Sequence, residues 1–140
     1  MTEGTADATA LRVLIIDDEP IVGRRLKPAL EKRGLEVEAY TDPLQALARI
    51  DAGDLDVVVS DVKMHGLDGI SLLQRLRERG ARTKVVLITG FPSDELEREA
   101  LSKGAFELIA KPFKSTHLIE VIARAAAALG RPGPLEAKSE

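Results

Sequence analysis

Four polar side chains stand at the carboxyl ends of four separate apolar runs in this sequence. They are two carboxylates, a hydroxyl and an amine: Asp18, Asp61, Thr89 and Lys111. If the apolar runs are parallel strands of one sheet, the four groups meet at its carboxyl edge, where open α/β sheets bind their ligands. Such a set could bind a divalent cation together with a phosphoryl group.

The apolar runs alternate with amphipathic stretches, which indicates an α/β fold with a parallel sheet. Asp42, Asp68 and Ser93 are good N-caps for the second, third and fourth helices. Strands are predicted at 12–17, 35–40, 56–60, 84–89 and 106–110, and the first and last helices at 21–33 and 115–129.

The burial pattern of the strands predicts their order. Residues 35–40 alternate between polar and apolar, which is typical of an edge strand, whereas residues 56–60 are almost all apolar and so predict a central strand. With right-handed crossovers, we expect a flavodoxin-like (βα)5 fold, a five-stranded parallel sheet of order 2-1-3-4-5 with helices on both faces.

Composition limits the classes of function. The 140 residues, 44% hydrophobic and 31% charged, suit one globular domain, predicted at 11–129 between a flexible N-terminus (1–10) and a flexible tail or linker stub (130–140). A net charge of −3 and only four aromatic residues give no reason to expect direct nucleic-acid binding. Without cysteine, a signal-peptide core or a long apolar stretch, we expect a cytoplasmic protein with no membrane partner.

Strand spacing assigns the polar groups to roles. Neighbouring strands lie about 4.8 Å apart, so Asp18 and Asp61 could bind one Mg²⁺ ion while the long side chain of Lys111 spans two strands to reach them. A carboxylate can form an acyl phosphate, which makes Asp61 a candidate nucleophile. The sequence contains neither a P-loop nor a G-x-G-x-x-G motif, so the phosphoryl donor must come from another molecule.

The motifs that carry these groups resemble the receiver domain of bacterial two-component response regulators, of the stand-alone, chemotaxis-regulator-like kind. The resemblance covers about residues 11–129. Its motifs are Asp17-Asp18-Glu19, Asp61 followed by Val-Lys-Met-His-Gly-Leu-Asp-Gly, Thr89-Gly90, and Lys111-Pro112-Phe113.

This resemblance implies that Asp61 accepts a phosphoryl group from a sensor histidine kinase or a histidine phosphotransfer protein. It also implies Mg²⁺ bound by Asp18, Asp61 and the Lys63 backbone carbonyl, with Asp17 holding a metal-bound water. Lys111 would pair with the phosphate, Thr89 would reorient towards it, and the Lys111–Pro112 bond would be cis. The domain would not be an enzyme beyond phosphorylating itself from a phosphodonor and dephosphorylating itself.

Three positions depart from the expected pattern. His65 stands where the family usually has proline, which puts the rigidity of the loop at 61–67 in doubt, although a surface histidine is the simpler interpretation. Leu108 replaces a customary Tyr or Phe, so coupling to the face from strand four to helix five is predicted to be weaker, and strand periodicity places Phe106 on the same face as Leu108. Pro28 predicts a kink in the first helix.

Phe91 and Lys63 flank the expected phosphorylation site and predict a long-lived phosphorylated form.

Because no helix-turn-helix motif follows residue 130, we expect output through protein–protein contact: an unknown output protein, self-association, or phosphorelay to another histidine protein. Two alternatives stay open, a receiver-like module that binds a partner without phosphorylation and an enzyme of similar shape acting on small phosphorylated substrates. Asp18 alone could also merely cap the first helix.

Overall fold

Five parallel strands form the central sheet of the computed structural model, which describes residues 10–136. The strands are β1 (Arg12–Ile16), β2 (Glu36–Tyr40), β3 (Val57–Asp61), β4 (Lys84–Thr89) and β5 (Glu107–Ala110). Their order in the sheet is β2-β1-β3-β4-β5, and every neighbouring pair is parallel. The predicted fold class and strand order are therefore confirmed.

Residues 10–136 also contain five helices, four between the strands and the fifth after β5: α1 (Pro20–Glu31), α2 (Pro43–Asp51), α3 (Gly69–Glu78), α4 (Asp94–Ser102) and α5 (Ser115–Leu129). The predicted N-caps of α2, α3 and α4 are confirmed, because Asp42, Asp68 and Ser93 each accept a hydrogen bond from a backbone N–H of the first turn. Asp18 does not cap α1, whose N-cap position is held by Glu19 without a side-chain cap. None of the helices in residues 10–136 is both long and apolar enough to cross a bilayer.

The sheet separates two apolar layers built almost entirely from aliphatic side chains. Alternate residues of β1 enter opposite layers, with Val13 and Ile15 on one side and Leu14 and Ile16 on the other. The first layer is covered by α1 and α5, and the second by α2, α3 and α4. Burial of β3 from both sides fixes its central position, so the end of β3 carries Asp61 into the middle of the carboxyl edge.

Two expectations about local structure were wrong. The predicted loop at 61–67 contains a short antiparallel hairpin, Lys63–Met64 paired with Leu67–Asp68, closed at Gly66 by a positive φ of 84° that glycine accommodates readily. Phe106 packs in the layer of α1 and α5, whereas Leu108 packs in the opposite layer. Phe106 precedes the regular strand Glu107–Ala110, so the two-residue period of β5 does not extend to it.

Pro28 lies inside α1, which continues to Glu31, and the kink expected there stays a prediction. The predicted domain limits also stay predictions, since residues 1–9 and 137–140 lie outside the described residues.

The segment after α5 contacts the domain. Arg131 pairs with Asp56 at 3.0 Å, and the backbone N–H of Leu135 donates to the carbonyl of Arg33 at 2.7 Å. Residues 131–136 have no regular secondary structure, and these contacts help to attach them to the amino edge of the sheet and the end of α1.

A candidate cation and phosphate site at the carboxyl edge

Lys111 joins the carboxylates at the ends of β1 and β3. Its Nζ lies 2.9 Å from Oδ2 of Asp61, 2.8 Å from Oδ2 of Asp17 and 3.1 Å from Oε1 of Glu19. The backbone N–H of Lys111 donates to the carbonyl of Thr89 at 2.7 Å, which extends the pairing of β4 and β5 by one residue. That bond directs the long side chain across β4 towards β3, as strand spacing predicted.

Three acidic side chains converge around the same point. One carboxylate oxygen from each of Asp17, Glu19 and Asp61 lies within 4.8 Å of the others. Asp17 is only 3% exposed, and its Oδ1 accepts the backbone N–H of Glu19 at 2.9 Å. Oδ2 of Asp17 touches the Lys111 ammonium but accepts no well-aligned hydrogen bond from the described residues. A buried oxygen of this kind is suited to a further cation or a cation-bound water.

Burial and ion pairing shift the pKa values of Asp17 and Lys111 in opposite directions. Burial raises the pKa of Asp17 above its usual value, although the adjacent Lys111 ammonium and the hydrogen bond from the Glu19 backbone lower it in part. Burial also lowers the pKa of Lys111, but its close contacts with the carboxylates of Asp17, Asp61 and Glu19 outweigh this effect and raise the pKa above its usual value. Lys111 is therefore a permanent cation at neutral pH.

The structure brings Asp17, Asp61 and Lys111 together but pairs Asp18 with a different neighbour. Oδ2 of Asp18 lies 3.3 Å from Nδ1 of His65 and accepts the His65 backbone N–H at 3.4 Å. The carboxylate of Asp18 is thus directed to the hairpin that follows Asp61. The backbone N–H of Lys63 donates to Oδ1 of Asp61 at 3.4 Å, so the loop that carries the predicted carbonyl ligand folds back onto Asp61.

Thr89 is buried at the end of β4, and its hydroxyl oxygen accepts the backbone N–H of Phe91 at 3.0 Å. This bond holds the hydroxyl within its own loop rather than on Asp61. The ring of Phe91 is 82% exposed beside it. The bond couples the position of the Thr89 hydroxyl to the Phe91 backbone, so a movement of Thr89 towards Asp61 would strain or break it.

Sequence reasoning assigned no role to Glu19 or Gly69, although both belong to motifs that carry the resemblance. Glu19 pairs with Lys111 and adds a third carboxylate to the group. Gly69 begins α3 and donates its N–H to the carbonyl of Val62 at 2.8 Å, which ties the helix to the end of β3. The acidic triplet at 17–19 was the available signal for Glu19.

The donor set fits a Mg²⁺ ion. Mg²⁺ prefers hard oxygen ligands, few of them from the protein, with water or phosphate oxygens completing an octahedron. The carboxylates of Asp17, Asp61 and Glu19 provide such oxygens in one group, and the neighbouring Asp18 is available from the same turn. The Lys111 ammonium already lies among these carboxylates. When a cation also binds, the two positive charges together can balance the negative charge of an added phosphoryl group.

Comparison with known proteins places the geometry in context. The family model described as the response regulator receiver domain matches residues 13–123. The C4-dicarboxylate transport transcriptional regulatory protein DctD of Pseudomonas aeruginosa is 38% identical over 114 residues, covering 81% of this chain and 25% of DctD. The transcriptional regulatory protein TrcR of Mycobacterium tuberculosis is 35% identical over 131 residues, covering 94% of this chain and 50% of TrcR. The chain thus spans between a quarter and a half of the length of these two relatives.

Solved structures show the same likeness. The receiver domain of the Francisella response regulator 1452 has a TM-score of 0.78 and 32% identity, covering 84% of this chain and 98% of that one. The beryllofluoride-activated NtrC4 receiver domain dimer has a TM-score of 0.79 and 30% identity, covering 84% of this chain and 97% of that one.

Proposed function

The chain belongs to the response regulator receiver domain family, and from that premise we propose that Asp61 is its phosphoacceptor. Receiver domains of bacterial two-component systems signal through phosphorylation, and that is the function of this domain. The observation that supports Asp61 is its place at the end of the central strand with its carboxylate on the Lys111 ammonium at 2.9 Å. Asp18 and the buried Asp17 lie at the end of the neighbouring strand β1.

The proposed reaction is a phosphoryl transfer. A carboxylate oxygen of Asp61 attacks the phosphorus of a phosphohistidine on the donor protein. The P–N bond breaks as the P–O bond forms, and the imidazole leaves with the bonding electron pair and then takes up a proton. The product is an aspartyl phosphate, the acyl-phosphate class of covalent intermediate.

Positioning and charge account for most of the catalysis in such a transfer. Lys111 remains protonated and stays paired with the oxygens that acquire the phosphoryl charge, because its bonds to the acids keep its pKa high. Asp17, Asp18, Asp61 and the Lys63 carbonyl are the residues that would hold Mg²⁺, with Asp17 acting through a metal-bound water. When bound, Mg²⁺ would neutralise charge on the phosphoryl oxygens.

Thr89 would transmit the phosphorylation of Asp61 to the loop between β4 and α4. Phosphorylation adds about −1.5 to −2 charges at one sheet edge. A phosphoryl oxygen on Asp61 offers the Thr89 hydroxyl an acceptor, and the hydroxyl would leave the Phe91 N–H to donate to it. Such a shift biases two arrangements of the loop between β4 and α4.

The proposed partners follow from this chemistry. A sensor histidine kinase or a histidine phosphotransfer protein supplies the phosphoryl group, and an output protein or a second copy of the domain reads the face from β4 to α5. The relatives DctD and TrcR are transcriptional regulators by name, and output through a DNA-binding segment would need sequence beyond this domain. The domain's own chemistry would be limited to phosphorylation from a donor and hydrolysis of the aspartyl phosphate.

Incubation with a small-molecule phosphodonor and Mg²⁺ tests the proposal by intact-protein mass spectrometry. Wild type should gain one phosphoryl mass, which is lost when Mg²⁺ is chelated beforehand. Asp61→Asn, which keeps the size of the side chain and removes the nucleophilic charge, should gain none. No gain in wild type would contradict the proposal and favour a receiver-like module that binds its partner without phosphorylation.

A further inference from the structure

The hairpin after Asp61 places His65 beside Asp18. Lys63 pairs with Asp68 and Met64 pairs with Leu67, so His65 and Gly66 form the turn between the two short arms. The positive φ of Gly66 permits this tight reversal. The chain is therefore paired on both sides of His65.

Two groups of His65 contact the same carboxylate oxygen. The backbone N–H donates to Oδ2 of Asp18 at 3.4 Å, and ring Nδ1 lies 3.3 Å from that oxygen. Proline, the usual residue of the family here, has neither a backbone N–H nor a ring nitrogen of this kind. Both contacts consequently depend on the departure at this position. The other oxygen of Asp18 makes no hydrogen bond or ion pair with the described residues.

The distance between the two side chains matches that between adjacent ligands of one metal ion. Imidazole nitrogen and carboxylate oxygen each bind transition ions at about 2.0–2.2 Å, so two such donors on neighbouring positions lie about 3 Å apart. The His65 ring is fully exposed, and no packing prevents it from turning its nitrogen onto an ion at Asp18. Imidazole suits ions such as Zn²⁺, Ni²⁺ and Cu²⁺, whereas Mg²⁺ prefers oxygen ligands.

We propose that His65 determines metal selectivity: together with Asp18 it gives the carboxyl-edge site a nitrogen–oxygen ligand pair for a divalent first-row transition ion. This inference rests on the proposed function, because Asp18 is one of the carboxylates that would hold Mg²⁺. The proposal adds His65, a ligand from outside the group of carboxylates, and a second class of cation, the first-row transition ions. With the same carboxylates, the site binds Mg²⁺ through oxygen alone and Co²⁺ or Ni²⁺ through oxygen and His65.

Metal titration of tag-free protein at one fixed pH near 7.5 tests the proposal. The variants are His65→Ala and His117→Ala, a matched control because the sequence contains only these two histidines. Isothermal titration with Co²⁺ and with Mg²⁺ should show the Co²⁺ dissociation constant raised by about tenfold or more in His65→Ala, the scale of losing a metal-site interaction. Its Mg²⁺ dissociation constant should stay within about twofold of wild type, and His117→Ala should match wild type for both ions.

Proton NMR of the Co²⁺-loaded protein gives an independent signature. A paramagnetically shifted, exchangeable imidazole N–H signal should be present in wild type and in His117→Ala and absent in His65→Ala. An equal loss of affinity for Co²⁺ and Mg²⁺ in His65→Ala would overturn the proposal, since His65 would then only orient Asp18. No change for either ion would overturn it as well.

The two proposals fail in different ways. If Asp61 is phosphorylated with Mg²⁺ but Co²⁺ binding is indifferent to His65, only the selectivity inference is wrong. If wild type binds neither cation, the metal site itself is wrong, and the selectivity inference fails with it.

Discussion

Gly69 packs directly against the main chain of Asp61. A Cβ atom added to Gly69 would lie 2.5 Å from the carbonyl oxygen of Asp61 and 3.1 Å from Cα of Val62. Both obstacles belong to the backbone, so no side-chain rotation can relieve them. The N-terminus of α3 and the end of β3 are thereby held together at the residue that would carry the phosphoryl group.

Gly69→Ala should therefore lower both stability and phosphorylation. Forcing a methyl group into this contact typically costs about 1–3 kcal/mol, and the shift falls on the Asp61 backbone. Denaturant unfolding measures the first effect, and the initial rate of phosphorylation measures the second. Gly133→Ala is the control for added bulk, because its Cβ position has only ordinary contacts, the nearest 3.6 Å from Cβ of Ala126. Wild-type stability in Gly69→Ala would show that β3 and α3 can separate freely.

Asp17→Asn should make the metal-free domain more stable and weaken its binding of Mg²⁺. Burial disfavours the charged form of Asp17, so a neutral isostere relieves a cost, and stabilising changes of this kind are worth on the order of 1 kcal/mol. Thermal unfolding in EDTA and titration with Mg²⁺ measure the two effects. Asp54→Asn, at an exposed site whose φ of 67° asparagine also tolerates, serves as the control.

The raised pKa of Asp17 also predicts how the stability of the domain changes with pH. Because the folded-state pKa of Asp17 is raised, the native state binds its proton more tightly than the unfolded chain does. Its contribution to stability is then lost as pH rises from about 4, the usual value for aspartic acid, through the folded pKa. The gain in melting temperature of Asp17→Asn over wild type, measured in EDTA, should grow across that interval. A gain that shrinks as pH rises would contradict the assigned shift.

The phosphorylated form should be long-lived, and both Phe91 and Lys63 should contribute to its lifetime. A bulky ring and a long cation beside Asp61 would screen the phosphoryl group from attacking water, and the Phe91 backbone is tied to Thr89. Phe91→Ala and Lys63→Ala should each speed loss of phosphate several-fold, as followed with radiolabelled protein. Lys114→Ala, at the N-cap of α5, controls for the loss of one lysine charge from the domain. A wild-type lifetime of only seconds would refute the prediction.

Leu108 should transmit the change at Asp61 weakly. Its side chain packs in the layer of α4 with Leu96, and the ring of Phe106 lies in the opposite layer, so β5 provides no aromatic side chain on the α4 side of the sheet. Beryllofluoride should therefore cause small amide shifts across residues 93–125. Leu108→Tyr should enlarge these shifts. Large shifts already present in wild type would show that coupling does not need a ring at this position.

The segment after α5 should stabilise the domain through Leu135. The Cβ of an alanine at Gly34 would lie 2.9 Å from Cδ1 of Leu135, and Gly34 has a φ of 81°. Gly34→Ala should cost about 1 kcal/mol for backbone strain alone and more where Leu135 is in place. A double-mutant cycle with Leu135→Ala separates the two parts. Equal costs in both backgrounds would mean that Leu135 does not rest on Gly34.

The sequence by itself determined the architecture. Caps and hydrophobic periods act over a few residues, so the positions of the five strands and the N-caps Asp42, Asp68 and Ser93 were predictable from composition and spacing. Burial patterns of β2 and β3 then predicted the strand order, and the motifs taken together identified the family. The resemblance to that family also implied the cis Lys111–Pro112 bond, which the structure contains. Roles for Asp17, Asp18, Asp61, Lys63, Thr89 and Lys111 follow from that family and remain for experiment.

Only the tertiary structure decided which side chains touch. Lys111 contacts Glu19 from 92 residues away in the sequence, and Asp18 contacts His65 from 47. Neither contact leaves a local signal, because each depends on where two distant backbone ends place their side chains. The same reason explains why Glu19 was missed, whereas Phe106 was assigned to the wrong layer because it lies just before the regular strand β5. Local propensities build the sheet edge, but contacts between distant residues set its chemistry.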